Sequence, residues 1–432
     1  MQYLLPIFYT LFFIFLIYKL RFFNQSGISF KILSAIFLIK LISGIALALL
    51  YRYYYDSYQT SDVYKYFIDG KVVFGILDKN PADFFKLLVG IDSDAAYMHK
   101  YLDDTEFWYK AFNYGLLNDN RMIIRIHTIL NFVSLGNFWV HSIIFSFFSF
   151  AGLTAIYKVF EKYFERKYLL IIAVFFAPSV MFWSSAELKE SLIMAMLGIL
   201  FFTLFRILEK KKIILNSVFF FISILLMLTL KFYVLFSLLP GLIAYFIVKQ
   251  FRIKYSILVF LGVYIVIISL FFNSQYISTY NLPEIICQKQ QDFINMLDAS
   301  GTVGSRIPLT DIEPNFLSFL KATPFAILNS FFRPSYFDIH ARIVIPAVVE
   351  NLIILFLLII SLKLRNTEKI KKLLPEILFL FSFVITLFIL IGLTTPVLGA
   401  LVRYKVPALP FLFIIFFIFI DFNRMYPFNR EK

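Results

Sequence analysis

Two short segments hold most of the groups that could do chemistry. The first is YRYYYDSYQTSDVYKYFIDG, residues 51–70. In it Asp56 and Asp62 stand among Tyr51, Tyr53, Tyr54, Tyr55, Tyr58, Tyr64 and Tyr66. A carboxylate beside a hydroxyl can take its proton as a general base, and tyrosine faces can stack on sugar rings. The same residues also suit a headgroup-level aromatic belt with a solvated carboxylate. The second segment is APSVMFWSSAELKESL, residues 177–192, which carries Glu187, Lys189 and Glu190. Glu187 and Glu190 are three apart and share a helix face. Charges pinned at the edge of an apolar run are costly unless paired or functional. Ser184 or Ser185 followed by Glu in a first turn equally describes a helix N-cap.

Basic residues flank other apolar runs: Arg125, Lys231, Arg333 in FFRPSYFD, Arg342, and Arg403 with Lys405 in GALVRYKVPALP. They could grip the phosphate of a lipid headgroup or lipid-linked substrate, or simply snorkel at helix ends. Glu350 and Lys40 fall inside apolar runs, where a charge is a functional candidate by default. Lys40 could instead snorkel inward. The four histidines, His99, His127, His141 and His340, have no metal-ligand spacing. No HExxH, GxSxG or phosphate-cradling Gly-rich motif occurs.

The elements that must position these groups are membrane helices. Of 432 residues, 60% are hydrophobic, 20% aromatic and only 16% charged, with 57 Phe and 26 Tyr. A soluble domain carries about 25% charge, so soluble enzyme folds are excluded. The lone Cys287 excludes an internal disulfide and a cysteine metal site. Apolar stretches at 3–18, 32–50, 138–158, 168–184, 187–206, 213–230, 232–248, 255–272, 344–362, 374–393 and 407–422 predict 11 spans of about 20 residues each. The first has no basic lead and no small-residue cleavage site, so it reads as a span and not as a cleaved leader.

Lys and Arg fall unevenly between these spans. Alternate short connections and the C-terminal tail carry 22, while the opposite set carries 18 spread over two long, net acidic loops and three short turns. The positive-inside rule then places the N-terminus outside and the C-terminus in the cytoplasm. The formal charge of +14 is topological, and no nucleic-acid partner is expected. The long outer loops are 51–137 and 273–343, within a single transmembrane domain of residues 1–432. NPADFFKLLVG and TEFWYKAFNYGLL have helical apolar spacing and suit the membrane surface. RMIIRIHTILNFVSL, 121–135, is too short and charged to span and reads as an interfacial or half-inserted helix. NFLSFLKATPFAILNSFF reads as too broken by Pro324 to be a clean span.

This layout resembles the GT-C superfamily of membrane glycosyltransferases. The resemblance rests on Asp62, Tyr66 and Gly70 in SDVYKYFIDG, on RIHTILNF before the 138–158 span, on the polar tip PSVMFWSSAELKES, and on RYKVPALP before the last span. It covers most of residues 32–422. It implies an all-α polytopic fold in a bacterial inner membrane. It also implies a polyprenyl-phosphate sugar donor and a lipid, glycan or protein acceptor at the outer face. Carried over, Asp62 is the base. Glu187 and Glu190 orient the acceptor or a divalent metal, the one cofactor left open, and Lys189 and Tyr66 stand beside the substrate. Arg125, Arg333 and Arg403, with Lys231 nearby, hold the donor phosphate. The chain departs from that layout by carrying an extra early span and no large soluble C-terminal domain, which leaves Asp56 and Asp62 both in play. An O-antigen-type polymerase is the alternative within the same chemistry. A lipid or polysaccharide transporter is the alternative outside it, though no internal repeat or matched pair of broken spans supports one.

Overall fold

The computed structural model describes residues 3–55, 58, 61–109, 118–300 and 305–425, leaving aside the side chains of residues 300, 423 and 425. It is 80% helical, and no strand occurs among the described residues. The chain is an all-α polytopic membrane protein. The helices run α1 Leu4–Lys19, α2 Phe30–Leu49, α3 Asp62–Phe74, α4 Pro81–Val89, α5 Asp119–Ser134 and α6 Phe138–Phe160. They continue as α7 Lys167–Phe175, α8 Pro178–Trp183, α9 Lys189–Leu208, α10 Ile213–Gln250, α11 Ser256–Phe272 and α12 Leu282–Ser300. The last six are α13 Phe316–Phe332, α14 Ile345–Lys363, α15 Thr367–Lys372, α16 Leu374–Thr394, α17 Leu398–Lys405 and α18 Leu409–Phe419.

Six helical stretches among the described residues are long and apolar enough to cross a bilayer: Phe30–Tyr54, Phe138–Tyr163, Lys189–Leu208, Ile213–Gln250, Arg342–Lys363 and Leu374–Thr394. The pair α17 and α18, bent by 62°, makes a seventh if taken as one span. Three shorter apolar helices, α1, α11 and α13, complete the set. The remaining expected spans differ in form. The 168–184 stretch is broken into α7 and α8, with Pro178 opening the second piece, a position where its missing N–H costs nothing. The 213–230 and 232–248 stretches run together as α10, interrupted by Lys231 at φ −153, ψ 80. Pro324 does not break α13, which continues through it.

Local chemistry sets several ends. Ser29 caps α2 by accepting from Ile32 N–H at 3.4 Å. Asn80 caps α4, accepting from Ala82 and Asp83 N–H at 3.1 and 3.3 Å. Gly90 closes α4 at φ +88, a left-handed turn that glycine adopts without strain.

The chain divides into two compact units. One comprises Met1–Val159, Met181–Phe205 and Lys212–Phe232; the other comprises Phe160–Val180, Arg206–Lys211 and Tyr233–Lys432. In the first, α3 packs along α5. A Cβ on Gly70 would lie 2.6 Å from the His127 Cβ, so only glycine permits this approach. The segment 121–135 is thus a helix docked on α3. It buries Ile123, Ile124, His127, Thr128, Asn131 and Ser134 and exposes Ile129, Phe132, Val133 and Leu135. Its buried face is thus mostly polar, with Ile123 and Ile124, and its exposed face carries large apolar side chains, unlike a soluble amphipathic helix. In the second unit, α16 packs against α13 and α18, and α18 against α7.

Orientation is open to direct measurement. The exposed Asp104 and Lys371 are suitable reporters. With Cys287→Ser as background, Asp104→Cys should react with an impermeant maleimide in intact cells, and Lys371→Cys only after the cells are broken. The opposite pattern inverts the orientation.

Candidate functional site

The tip between α8 and α9 is fully buried. Ser184, Ser185, Ala186, Glu187, Leu188, Glu190 and Ser191 are all inaccessible to solvent. Such backbone must find partners inside the protein. Ser146 Oγ donates to Ser185 O at 2.5 Å, and Ser191 Oγ donates to Ala186 O at 2.6 Å. Lys40, ten residues into α2 and so about 15 Å along it, reaches this tip. Its ammonium donates to Ser184 Oγ at 2.8 Å and Ser185 Oγ at 3.0 Å. Lys40 is therefore an internal tether of the tip and does not snorkel. A Cβ on Gly44 would meet Ser185 O at 2.1 Å, so glycine is what lets the tip seat against α2.

The charged residues of the tip separate into three environments. Glu190 forms a buried ion pair with Lys231 at 2.5 Å, their side chains 0% and 5% exposed. The break in α10 brings Lys231 to this position. Glu187 is buried beside Ser142, with no hydrogen bond of normal geometry to either carboxyl oxygen. Its neighbours Ala186 and Leu188 belong to an apolar cluster with Leu47, Ala48, Val63 and Tyr64. Lys189 points elsewhere, to Asp119 Oδ2 at 2.6 Å and Asn120 Oδ1 at 2.9 Å.

Around Lys189 a polar cluster assembles from α3, α5 and the loop between them. Tyr66 donates its hydroxyl to Asn120 Oδ1 at 3.2 Å. The Lys189 and Lys65 ammonium groups lie 5.2 and 5.1 Å from the centroid of the same Tyr66 ring, a cation–π arrangement. Lys65 also pairs with Asp62 one turn earlier on α3 and lies 4.5 Å from the Phe107 ring centroid. Asn120 Nδ2 donates to Phe107 O at 3.2 Å. Asp62 and Asp119 are the water-facing members, with side chains 28% and 27% exposed. Asp56 lies outside the described residues.

Asp69 anchors this cluster from below. Its carboxylate accepts from Glu106 N–H at 3.2 Å and Phe107 N–H at 2.9 Å. Burial outweighs these two bonds and pushes its pKa up to about 6. Beside it, Arg125 is committed to structure. It donates to Leu87 O at 2.7 Å and Ser93 Oγ at 3.0 Å, and it stacks on buried Trp108. Arg121 stacks on the same ring and forms a two-pronged pair with Asp94. His127 and His141 are stacked, with Nδ1 atoms 2.9 Å apart, and His141 Nε2 meets Ser134 Oγ at 2.7 Å.

Arg333 and Arg403 belong to the second unit. Arg333 faces Asp338 at 3.7 Å, and its carbonyl accepts from Lys405 Nζ at 3.0 Å. Lys405 also donates to Asn351 Oδ1 at 3.1 Å. Arg403 is half-buried, two residues earlier on α17. Lys405 is thus a C-terminal cation that meets Arg333, through the Arg333 backbone carbonyl. Glu350 accepts from Ser179 N–H at 3.0 Å and from its hydroxyl.

No family model, curated protein or solved structure matches this chain. No group of three or more His, Cys, Asp or Glu is placed to hold a metal ion among the described residues. Nothing in the sequence singles out Asp119, Asn120 or Asp69, or pairs His127 with His141. Asp119 and Asn120 follow the cap residue Asn118 and look like ordinary helix-start chemistry. Their one sequence signal is that they directly precede the segment RMIIRIHTILNFVSL, 121–135.

Two outcomes follow. Glu190→Gln should destabilise the protein by about 3–5 kcal/mol, because it strands a buried ammonium. Glu190→Gln with Lys231→Met should recover most of that loss, as read by thermal unfolding in detergent. Asp69 carries the pH dependence. Its folded pKa of about 6 exceeds the ordinary 3.8, so the folded state holds its proton longer. The stability it contributes is complete below pH 4 and is lost as pH rises through about 6, by about 3 kcal/mol. Wild-type stability relative to Asp69→Asn should therefore fall between pH 4 and pH 7. A flat difference removes the assignment.

Proposed function

We propose that this chain is a GT-C-type membrane glycosyltransferase. It moves a sugar from a polyprenyl-phosphate donor to a lipid, glycan or protein acceptor at the outer face of a bacterial inner membrane. The reading takes the 11 apolar stretches as spans and places the 51–137 loop outside. The observation that carries it is the cluster on Tyr66. There two partly exposed carboxylates, Asp62 and Asp119, are each paired to a lysine, and both ammonium groups lie on one tyrosine ring. A base and cations within a few ångströms are what an inverting transfer uses.

In this scheme Asp62 takes the proton of the acceptor hydroxyl. The hydroxyl oxygen attacks the anomeric carbon, and the bond from that carbon to the phosphate oxygen breaks. Polyprenyl phosphate leaves with the electron pair, its charge met by Lys189 and Lys65. Tyr66 and Asn120 position Lys189. The Glu190–Lys231 pair and the Lys40 tether keep the tip rigid, so these residues are positioning groups and not catalytic ones. Arg125 is held in the loop scaffold, and Arg333 and Arg403 have no assigned step.

The test is sugar transfer by membranes supplied with radiolabelled polyprenyl-phosphate monosaccharides. Asp62→Asn should lower transfer by about 10²–10⁴ with expression unchanged, and Lys189→Gln should lower it with a weaker donor dependence. Full activity in Asp62→Asn with loss in Asp119→Asn moves the base to Asp119. Movement of labelled lipid-linked saccharide across the bilayer, with no transfer by the wild type, replaces the enzyme with a transporter.

A further inference from the structure

The second unit carries a groove, about 330 Å³ in volume, where α14, α15 and α18 meet. Its origin is a backbone stitch. Asn366 N–H donates to Phe419 O at 2.7 Å, and Asp421 N–H donates to Leu364 O at 2.7 Å. These bonds tie the ends of two apolar helices together through main-chain groups alone and leave the Arg365 side chain exposed. Arg365, Lys371 and Thr367 line the groove, together with the apolar Ile370, Leu362 and Phe419. The Arg365 guanidinium makes no ion pair or side-chain hydrogen bond among the described residues. Among the described residues Lys371 pairs only with Glu368, at 3.7 Å, and both side chains are more than three-quarters exposed, so water screens that contact.

Three observations fix the kind of ligand. First, the segment 363–372 contains five Lys and Arg against the single Glu368, which favours an anion. Second, a guanidinium and an ammonium beside a hydroxyl suit phosphate oxygens. Third, the groove continues into an apolar stripe. Leu352, Phe356, Ile359 and Leu362, spaced three or four apart along α14, are 56%, 58%, 44% and 63% exposed. Free phosphate has no use for such a stripe, whereas an acyl chain does.

We propose that this groove binds an anionic glycerophospholipid, with the phosphate held by Arg365 and Lys371 and an acyl chain laid along Leu362, Ile359 and Phe356. The groove lies at the basic end of α14, the end the positive-inside rule assigns to the cytoplasmic leaflet, where anionic headgroups attract juxtamembrane Lys and Arg. This inference does not use the Tyr66 cluster and stands whatever that cluster does.

Native mass spectrometry of the full chain, released from detergent with phosphatidylglycerol or phosphatidylcholine of matched chains, tests it. Phosphatidylglycerol should bind more tightly. Arg365→Gln with Lys371→Gln should weaken its first binding event by tenfold or more and leave phosphatidylcholine unchanged, which also reports an intact fold. Leu362→Glu, at an exposed position, should weaken it similarly with the cations untouched. Equal affinity for the two lipids in the wild type overturns the proposal, as does an unchanged lipid preference in both variants. Displacement of phosphatidylglycerol by millimolar inorganic phosphate assigns the groove to free phosphate and overturns the lipid.

Discussion

The fold of the first unit turns on one constraint: a stretch of polar backbone with three charged side chains is sealed away from water at the tip between α8 and α9. Residues 184–191 contain no exposed member. Unpaired main-chain groups in such a place each cost a few kcal/mol. The solution is a set of short side chains donating to tip carbonyls, with Lys40 reaching the tip hydroxyls from the middle of α2. Serine suits this task because it has one donor, little bulk and little side-chain entropy to lose. The two close approaches at Gly44 and Gly70 follow from the same demand, since a tip fed from α2 and a helix pair built around buried polar groups both need backbones nearly in contact.

A related balance shows in α5, whose buried face is mostly polar and whose exposed face is apolar. The α5 helix presents His127, Thr128 and Asn131 inward beside Ile123 and Ile124, and Ile129, Phe132 and Val133 outward. Where the outside is hydrocarbon, hydrophobicity does not choose the buried face. Packing and hydrogen bonding choose it. A helix of this kind defeats the usual pattern rule, because its polar stripe marks the protein side.

This decides how much the sequence could reveal. Membrane class, helix content and most apolar stretches were legible from hydropathy alone, since spanning segments must satisfy their backbone internally. The tip was legible as a place, because carboxylates and a lysine with almost no loop are conspicuous. Its pairings were not. Glu190 meets Lys231 across 41 residues and Lys40 meets Ser185 across 145, and neither partner's position has a local signature. The interruption at Lys231 was read as a turn between two spans, when its broken φ/ψ serves to swing an ammonium toward Glu190. The charge and location of Arg125 suggest a phosphate ligand or a snorkelling end, and its stacking on Trp108 depends on loop geometry that no spacing shows.

The same logic divides the carboxylates by role. A buried carboxylate already matched to a buried cation, as Glu190 is, has nothing left to offer a passing proton, and changing its charge would strand its partner. Asp69 is engaged by two backbone donors and holds the Phe107 segment. Asp62 and Asp119 differ in kind. Each keeps a side chain about a quarter open to water while its lysine is more deeply set. A lysine screened from solvent on one side and fixed on an aromatic face holds its geometry when the carboxylate it pairs with exchanges a proton. On the proposed reading, the proton acceptors stand at the rim of this cluster and the fixed charges behind them. That order follows from the tip, whose buried contacts hold Lys189 in place while the two aspartates stay partly exposed at the rim.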